Sequence, residues 1–99
     1  MIKGFKGFNK NLVCNPNGKP FQYEIGKEYE IEGKPVKCTN NGFHLCESPL
    51  DVWNYYGPAD SRFCEVEADG QIDGGRDNSD SKIACSKLKI GMEIGIKLS

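Results

Sequence analysis

The sequence predicts a small α+β domain in which one principal short helix packs on a strongly twisted sheet. Apolar and polar residues alternate in several short segments, as they do in strands that bury one face. A single convincing helix start occurs near Ser48. The chain has 99 residues and no internal repeat or low-complexity block, which predicts one domain, residues 1–99.

The first third of the chain predicts short strands separated by turns. KGFKGF alternates charge, glycine and aromatic residues, and FQYE and EYEIE alternate in the strand manner on either side of IGK. NPNGKP at 15–20 and TNNG at 39–42 are rich in Asn, Gly and Pro, which supply the backbone angles of turns.

The middle of the chain predicts a strand followed by the helix. GFHLC places Phe43 and Leu45 on one side of a strand and His44 and Cys46 on the other. ESPLDVWNYY, residues 47–56, then predicts a helix, because a serine suits the N-cap and a proline suits the first turn. Its buried face is expected to comprise Leu50, Trp53 and Tyr56, which follow helical spacing.

The last third predicts further strands around a polar loop. RFCEVEADG is typical of a strand with Cys64, Val66 and Ala68 facing the core. GQIDGGRDNSDS is interpreted as a solvated loop rather than a cation site, because it lacks EF-hand spacing. KIACSKLKIGMEIGIKLS predicts one or two strands, with Gly91 marking a turn or a bulge.

Composition narrows the classes of function. Thirteen basic and fourteen acidic residues leave a net charge of −1, which argues against broad nucleic-acid binding. No apolar run approaches membrane-spanning length, so no membrane partner is expected. The first residues, MIKGFKGFNK, are too polar for a secretory signal, which predicts a location inside a cell.

Five cysteines admit two interpretations. The favoured one is reduced thiols that serve as small core residues. The alternative is a metal site that uses Cys14, Cys38, His44 and Cys46, but the chain has no C-x-x-C pair, which is the strong zinc signal. We therefore expect no bound metal. A Cys–His pair formed by His44 and Cys46 is disfavoured, since residues two apart on a strand are separated by about 7 Å.

Two resemblances add to this interpretation. FQYEIGK, GFHLCESPLDVWNYY, DSRFCEVEADGQI and DSKIACSKLKIG resemble an uncharacterised domain that recurs in bacteriophage and prophage proteins. More distantly, FKGF, GFHLCESPLDVWNYY and FCEVEADGQID are similar in order and spacing to the ADP-ribosyltransferase core, especially the compact rifamycin-modifying branch. This second resemblance implies a minimal ADP-ribosyltransferase-like fold and a nucleotide-sized crevice.

The second resemblance also implies roles for particular residues. Lys6 and Gly7 stand where that family has His-Gly, which contacts the ribose of NAD. Phe43 or His44 corresponds to the aromatic residue that stacks on nicotinamide, and Asp73 to the acidic residue of the chemistry. Lysine donates hydrogen bonds but accepts none, so Lys6 suits a phosphate better than a ribose, and binding is favoured over turnover.

The predicted function is therefore that of a phage or prophage accessory protein in the host cytoplasm. It would act by binding a host defence protein or an ADP-ribose-like or cyclic nucleotide, with no cofactor. The expected ligand contacts are Lys6, Phe43, His44, Tyr55 and Tyr56. One alternative is an NAD-consuming ADP-ribosyltransferase, with Asp73 and His44 as catalytic residues and NAD as cofactor. Another is a structural module appended to other phage proteins.

Overall fold

The chain folds into seven strands and one short helix within the residues that the computed structural model describes, which are 1–14, 20–35, 42–52, 60–74 and 81–95. The elements, in chain order, are β1 (Ile2–Phe8), β2 (Val13–Cys14), β3 (Phe21–Gln22), β4 (Glu28–Glu30), β5 (Phe43–Cys46), α1 (Pro49–Val52), β6 (Arg62–Gly74) and β7 (Lys82–Ile94). In these residues, no helix is long and apolar enough to cross a bilayer.

The principal sheet closes on itself. Strand β6 pairs antiparallel with β1 along one edge and with β7 along the other. Strand β7 also pairs with β5, and β5 returns to β1 through the bridge between Phe5 and Cys46. Four strands thus form a small barrel, and β4 follows β5 along the same edge of β7. Strands β2 and β3 form a separate two-stranded ribbon.

The interior of the barrel is filled by alternate residues of the long strands. Cys64, Val66 and Ala68 on β6 are almost fully buried, while Glu65 and Asp69 are exposed. This confirms the orientation that the alternation in CEVEAD predicts. The other buried members of this core are Phe8, Leu12, Cys14, Tyr23, Phe43, Leu45, Ile83, Cys85, Leu88 and Ile90.

A second, smaller core lies outside the barrel, under the helix. Val52 of α1 packs with Cys46 and Phe63, and Phe5 contacts this group from β1. The Asp51 carboxylate fixes the helix to the start of β7, because it accepts hydrogen bonds of 3.0 Å and 2.8 Å from the backbone N–H and hydroxyl of Ser81. The helix is therefore held by tertiary contacts rather than by its own length, which is below that of a stable isolated helix.

The predicted α+β class is wrong, because the domain is β-rich. The helix that the sequence predicts over residues 47–56 is described only as Pro49–Val52, and residues 53–59, with Trp53 and Tyr56, lie outside the described residues. The predicted burial of Leu50 is wrong, since its side chain is 66% exposed and Val52 packs inward instead. The strand content is higher than expected because residues 70–74, which include Gly70, Asp73 and Gly74, do not form a loop. Ile72, Asp73 and Gly74 pair with β7, and pairing of this kind overrides local propensity.

Two bulges bend the long hairpin formed by β6 and β7. At the first, β6 has one extra residue between Asp69 and Ile72, and Gly70 adopts a φ of 73°. At the second, β7 has the extra residue, since Cys64 pairs with Glu93 and Val66 with Ile90. Gly91 lies in this second irregularity, which confirms the bulge expected there.

Candidate functional site

Lys6, which was predicted to contact a ligand, lies inside the barrel. Its side chain is buried, and its amine donates a hydrogen bond to the main-chain oxygen of His44. The amine nitrogen lies 5.2 Å from the ring centroid of Tyr23 and 5.9 Å from that of Phe8. Burial lowers the pKa of Lys6, and the nearby thiols, Cys14 first among them, oppose this shift.

Phe43 also belongs to the core. Its ring packs edge-on against Phe21 and Tyr23, with centroid distances of 5.6 Å and 6.1 Å, and it is tilted against Tyr29 at 6.2 Å. Only 4% of Phe43 is exposed. Its faces are thus occupied by other rings, and stacking on a nicotinamide would require this cluster to rearrange.

His44 and Asp73 lie on the other face of the sheet, where they share one row across three strands. His44 of β5 pairs with Ala84 of β7, and Ala84 pairs on its other side with Asp73 of β6. Directly opposed residues in antiparallel strands point to the same face, so the imidazole and the carboxylate flank the methyl group of Ala84. Both side chains are half-buried.

The predicted ligand contacts are therefore divided between two environments. Lys6 and Phe43 face the interior, whereas His44 and Asp73 share an outer row. Tyr55 and Tyr56 lie outside the described residues, so their roles stay predictions. The four side chains Lys6, Phe43, His44 and Asp73 do not line one cleft.

The described cysteines are placed as core residues. Cys14, Cys46, Cys64 and Cys85 are buried and form no disulfide bond, while Cys38 lies outside the described residues. Burial raises the pKa of Cys64 and of Cys85 to about 11, so both thiols are protonated and unreactive near neutral pH. Within the described ranges, no three Cys, His, Asp or Glu side chains are grouped to hold a metal ion.

A surface groove that the sequence did not reveal lies on the outer face of β1, β6 and β7. It holds about 390 Å³, within the range of pockets that bind small ligands. We call it the β1–β6–β7 groove. Its side-chain lining is Lys3, Phe5, Glu65, Glu67, Lys89 and Met92.

The charges of the β1–β6–β7 groove follow the strand register. Lys3 pairs with Glu67, and Glu67 pairs with Lys89, so one row across the three strands carries a cation, an anion and a cation. In the next row Phe5 of β1 lies opposite Glu65 of β6. The bulge at Gly91 places Met92 of β7 on the side of Glu65 that is away from Phe5.

The four charged side chains of the groove form no ion pair with another described residue. Among the described residues, the ion pairs join Lys27 to Glu24, Arg62 to Glu93 and Lys87 to Glu28, and none of the four charged groove residues takes part in an ion pair. Met92 is 72% exposed, which places an apolar surface beside charges of both signs. The groove thus presents both signs of charge and an apolar side chain to solvent.

Gly91 allows the main chains of β6 and β7 to approach closely beside the groove, because it has no side chain. A Cβ atom at this position would lie 2.9 Å from the main-chain oxygen of Glu65. Any side chain there would push β6 away from β7 and displace Glu65. The sequence marks Gly91 as special, but it does not show that Lys3, Glu67 and Lys89 are neighbours, since these residues are far apart along the chain.

Comparison with known proteins places the chain in a family. The model of the domain of unknown function DUF7666 matches residues 2–98. The chain belongs to this family. The resemblance to an uncharacterised domain over nearly the whole length is thereby confirmed, whereas its phage setting stays a prediction. No curated protein and no solved structure matches the chain.

Proposed function

We propose that this DUF7666 domain acts by binding a protein partner through the β1–β6–β7 groove, without turnover. The observation that supports this proposal is a groove whose four charged side chains, Lys3, Glu65, Glu67 and Lys89, make no ion pair within the described residues. An exposed methionine and a half-buried phenylalanine lie beside them. Mixed charge around an apolar patch favours specificity for one protein over general adhesion.

The charge pattern favours a protein over a nucleotide. A pyrophosphate that entered this groove would meet the carboxylates of Glu65 and Glu67 as well as the amines of Lys3 and Lys89. Like charges at such short range oppose binding. A protein segment can instead present a basic group to the carboxylates and an acidic group to the lysines.

The biological setting follows from the resemblance to a domain of phage and prophage proteins. In that setting the chain is an accessory protein and its partner is a host protein, for which a defence component is the natural candidate. A small domain can block such a partner by covering one patch, without any catalysis. The alternative is a structural module appended to other phage proteins. Such a module is expected to bind no specific partner.

A charge-swap experiment tests the proposal. The pair Glu65→Lys and Lys89→Glu exchanges two charges in the groove and leaves the net charge unchanged. The matched control exchanges Glu32 and Lys34, which are exposed in the turn after β4. Immobilised wild type, groove variant and control are each exposed to lysate of the source cells, and a retained protein is then purified and its affinity for all three is measured.

We expect the retained protein to bind wild type and control equally and the groove variant at least about tenfold more weakly, because a close charge reversal costs several kcal/mol. Equal binding by the groove variant would contradict the proposal. Titration calorimetry with NAD, ADP-ribose and cyclic dinucleotides covers the nucleotide alternative. Flat isotherms are expected, and saturable heat that survives the groove swap would favour a nucleotide site elsewhere.

A second candidate function is NAD turnover at the outer row of His44, Ala84 and Asp73. It is favoured by one observation, that the imidazole and the carboxylate flank a small methyl group. Lys6 is in the core and does not join them. Incubation with labelled NAD tests this function. Transfer of label or release of nicotinamide that disappears in Asp73→Ala would support it, and label at background level would contradict it.

A further inference from the structure

We infer that the β1–β6–β7 groove receives an arginine side chain of the partner, seated on Glu65 and Glu67 between Phe5 and Met92. This inference rests on the proposed function and specifies the chemistry that the groove recognises.

The two carboxylates are placed to share one cation. Glu65 and Glu67 are two residues apart on β6, so their side chains leave the same face about 7 Å apart. A planar guanidinium between them donates to both, because it carries five N–H donors in a fixed fork. Neither carboxylate makes an ion pair with another described residue.

The apolar walls suit the stem and the face of an arginine. Phe5 is opposite Glu65 across β1 and β6, and its ring is supported from behind by Cys46, Val52 and Phe63. A guanidinium that binds Glu65 lies close to this ring, and a cation over an aromatic face is stabilised by about 0.5–1 kcal/mol at an exposed site. Met92 offers an adaptable thioether to the methylene stem.

The groove is formed before binding. The bulge at Gly91 holds β7 so close to β6 that a Cβ atom would meet the Glu65 backbone at 2.9 Å. Residues 62–68 of β6, which include Glu65, are also paired with β1. A rigid floor reduces the entropy that is lost when the partner's side chain becomes ordered.

Lys3 and Lys89 define the surroundings of the arginine. They flank Glu67 on both sides and repel a partner that carries only positive charge. They attract an aspartate or glutamate that follows the arginine. The preferred segment therefore carries an arginine next to an acidic residue, and neither polyanions nor polycations satisfy the groove.

An NMR titration of the full chain with a short peptide tests the inference. The probe is acetyl-Gly-Arg-Asp-Gly-amide, and the matched probe replaces arginine by citrulline, which has the same shape without the charge. We expect saturable amide shifts at Phe5, Glu65 and Met92 with the first probe. We expect binding about tenfold weaker with citrulline, since a hydrogen bond to a charged group contributes about 1.5–3 kcal/mol.

Two variants separate the groove from the rest of the surface. Glu65→Gln combined with Glu67→Gln should weaken the arginine peptide about tenfold and make the two probes equal. Glu32→Gln, an exposed change outside the groove, should leave both affinities unchanged. The amide spectrum of each variant verifies that it is folded.

The inference is overturned if the two probes bind equally to wild type, if neither shifts the groove amides at millimolar concentration, or if shifts cluster on another surface. Its failure is distinguishable from that of the proposed function. If the charge swap weakens binding of the retained protein but the two peptides bind with equal affinity, only the arginine assignment fails. If the charge swap leaves the affinity for the retained protein unchanged, the groove is not the binding surface.

Discussion

Replacement of Gly70 by alanine tests the geometry of the hairpin that supports the groove. Gly70 has a φ of 73°, a conformation that L-residues adopt with strain. A Cβ atom there would lie 2.2 Å from the hydroxyl oxygen of Ser86, whereas its next neighbours, both in Lys87, are at 3.5 Å or more. That hydroxyl accepts a 2.8 Å hydrogen bond from the backbone N–H of Gln71. The methyl group of the alanine would therefore clash with one atom, the Ser86 hydroxyl oxygen, which already accepts a hydrogen bond.

The expected loss of stability has two parts. The left-handed conformation costs an alanine about 1–2 kcal/mol. Displacement of the Ser86 hydroxyl leaves the part-buried backbone N–H of Gln71 without its acceptor, which costs about 1 kcal/mol more. We expect Gly70→Ala to lower the free energy of unfolding by about 2–3 kcal/mol, which is roughly 8–24 °C in Tm for a domain of this size.

The chain offers a matched control. Gly26 has a similar φ of 86°, but nothing lies within 4 Å of its Cβ position, so Gly26→Ala should show only the backbone strain, about 1–2 kcal/mol. Urea unfolding followed by circular dichroism measures both variants. In a Ser86→Ala background the further cost of Gly70→Ala should fall to that of the control. Equal losses at the two glycines, or no coupling to Ser86, would refute the reasoning.

Three further outcomes are expected. Lys6→Met should raise stability near neutral pH by about 1–2 kcal/mol, because an amine with one backbone acceptor is removed from the core. Burial lowers the folded-state pKa of Lys6 below the ordinary 10.5, so the unfolded chain binds more protons as the pH approaches that value. Wild-type stability should therefore rise with pH toward 10.5, and denaturant midpoints should show a rise that the Lys6→Met variant lacks. Because burial raises the pKa of Cys64 and Cys85 to about 11, their labelling by a thiol reagent at neutral pH should be limited by unfolding, and labelling at the rate of a small thiol would contradict this. Asp51→Ala should cost about 1–3 kcal/mol in urea unfolding, since it removes the acceptor of two hydrogen bonds from Ser81, and an unchanged midpoint would show that these bonds do not anchor the helix.

Strand positions and their orientation could be predicted from the sequence where alternation is regular. Phe43 and Leu45 face inward, and Cys64, Val66 and Ala68 do the same on β6, as their spacing indicates. These predictions succeed because the two-residue period of a strand is a local property.

The closure of the barrel could not be predicted in the same way. Gly70 and Asp73 resemble loop residues, yet β6 continues through Gly74 because β7 supplies a partner for its backbone. Lys6 was predicted to contact a ligand, but its long side chain lies in the interior, where its amine donates a hydrogen bond to the His44 carbonyl. Both outcomes depend on pairings between distant segments, which local composition does not encode.

The β1–β6–β7 groove was missed for the same reason. Lys3, Glu67 and Lys89 become neighbours only through the registers of β1 with β6 and of β6 with β7. The one local signal was Gly91, whose position in a clean strand pattern indicated a bulge. A search for charges opposite one another across predicted hairpins would have found the pair Glu67 and Lys89.

Photocrosslinking from the groove tests the central claim most directly. A photoreactive amino acid replaces Met92, which is 72% exposed in the groove, and in a second protein it replaces Ile25, which is 45% exposed in the turn before β4. Each protein is irradiated in lysate of the source cells. The account predicts one covalent adduct with a discrete protein from position 92, lost on the Glu65→Lys and Lys89→Glu swap, and none from position 25. An adduct from position 25 alone, or one from position 92 that survives the swap, would contradict it.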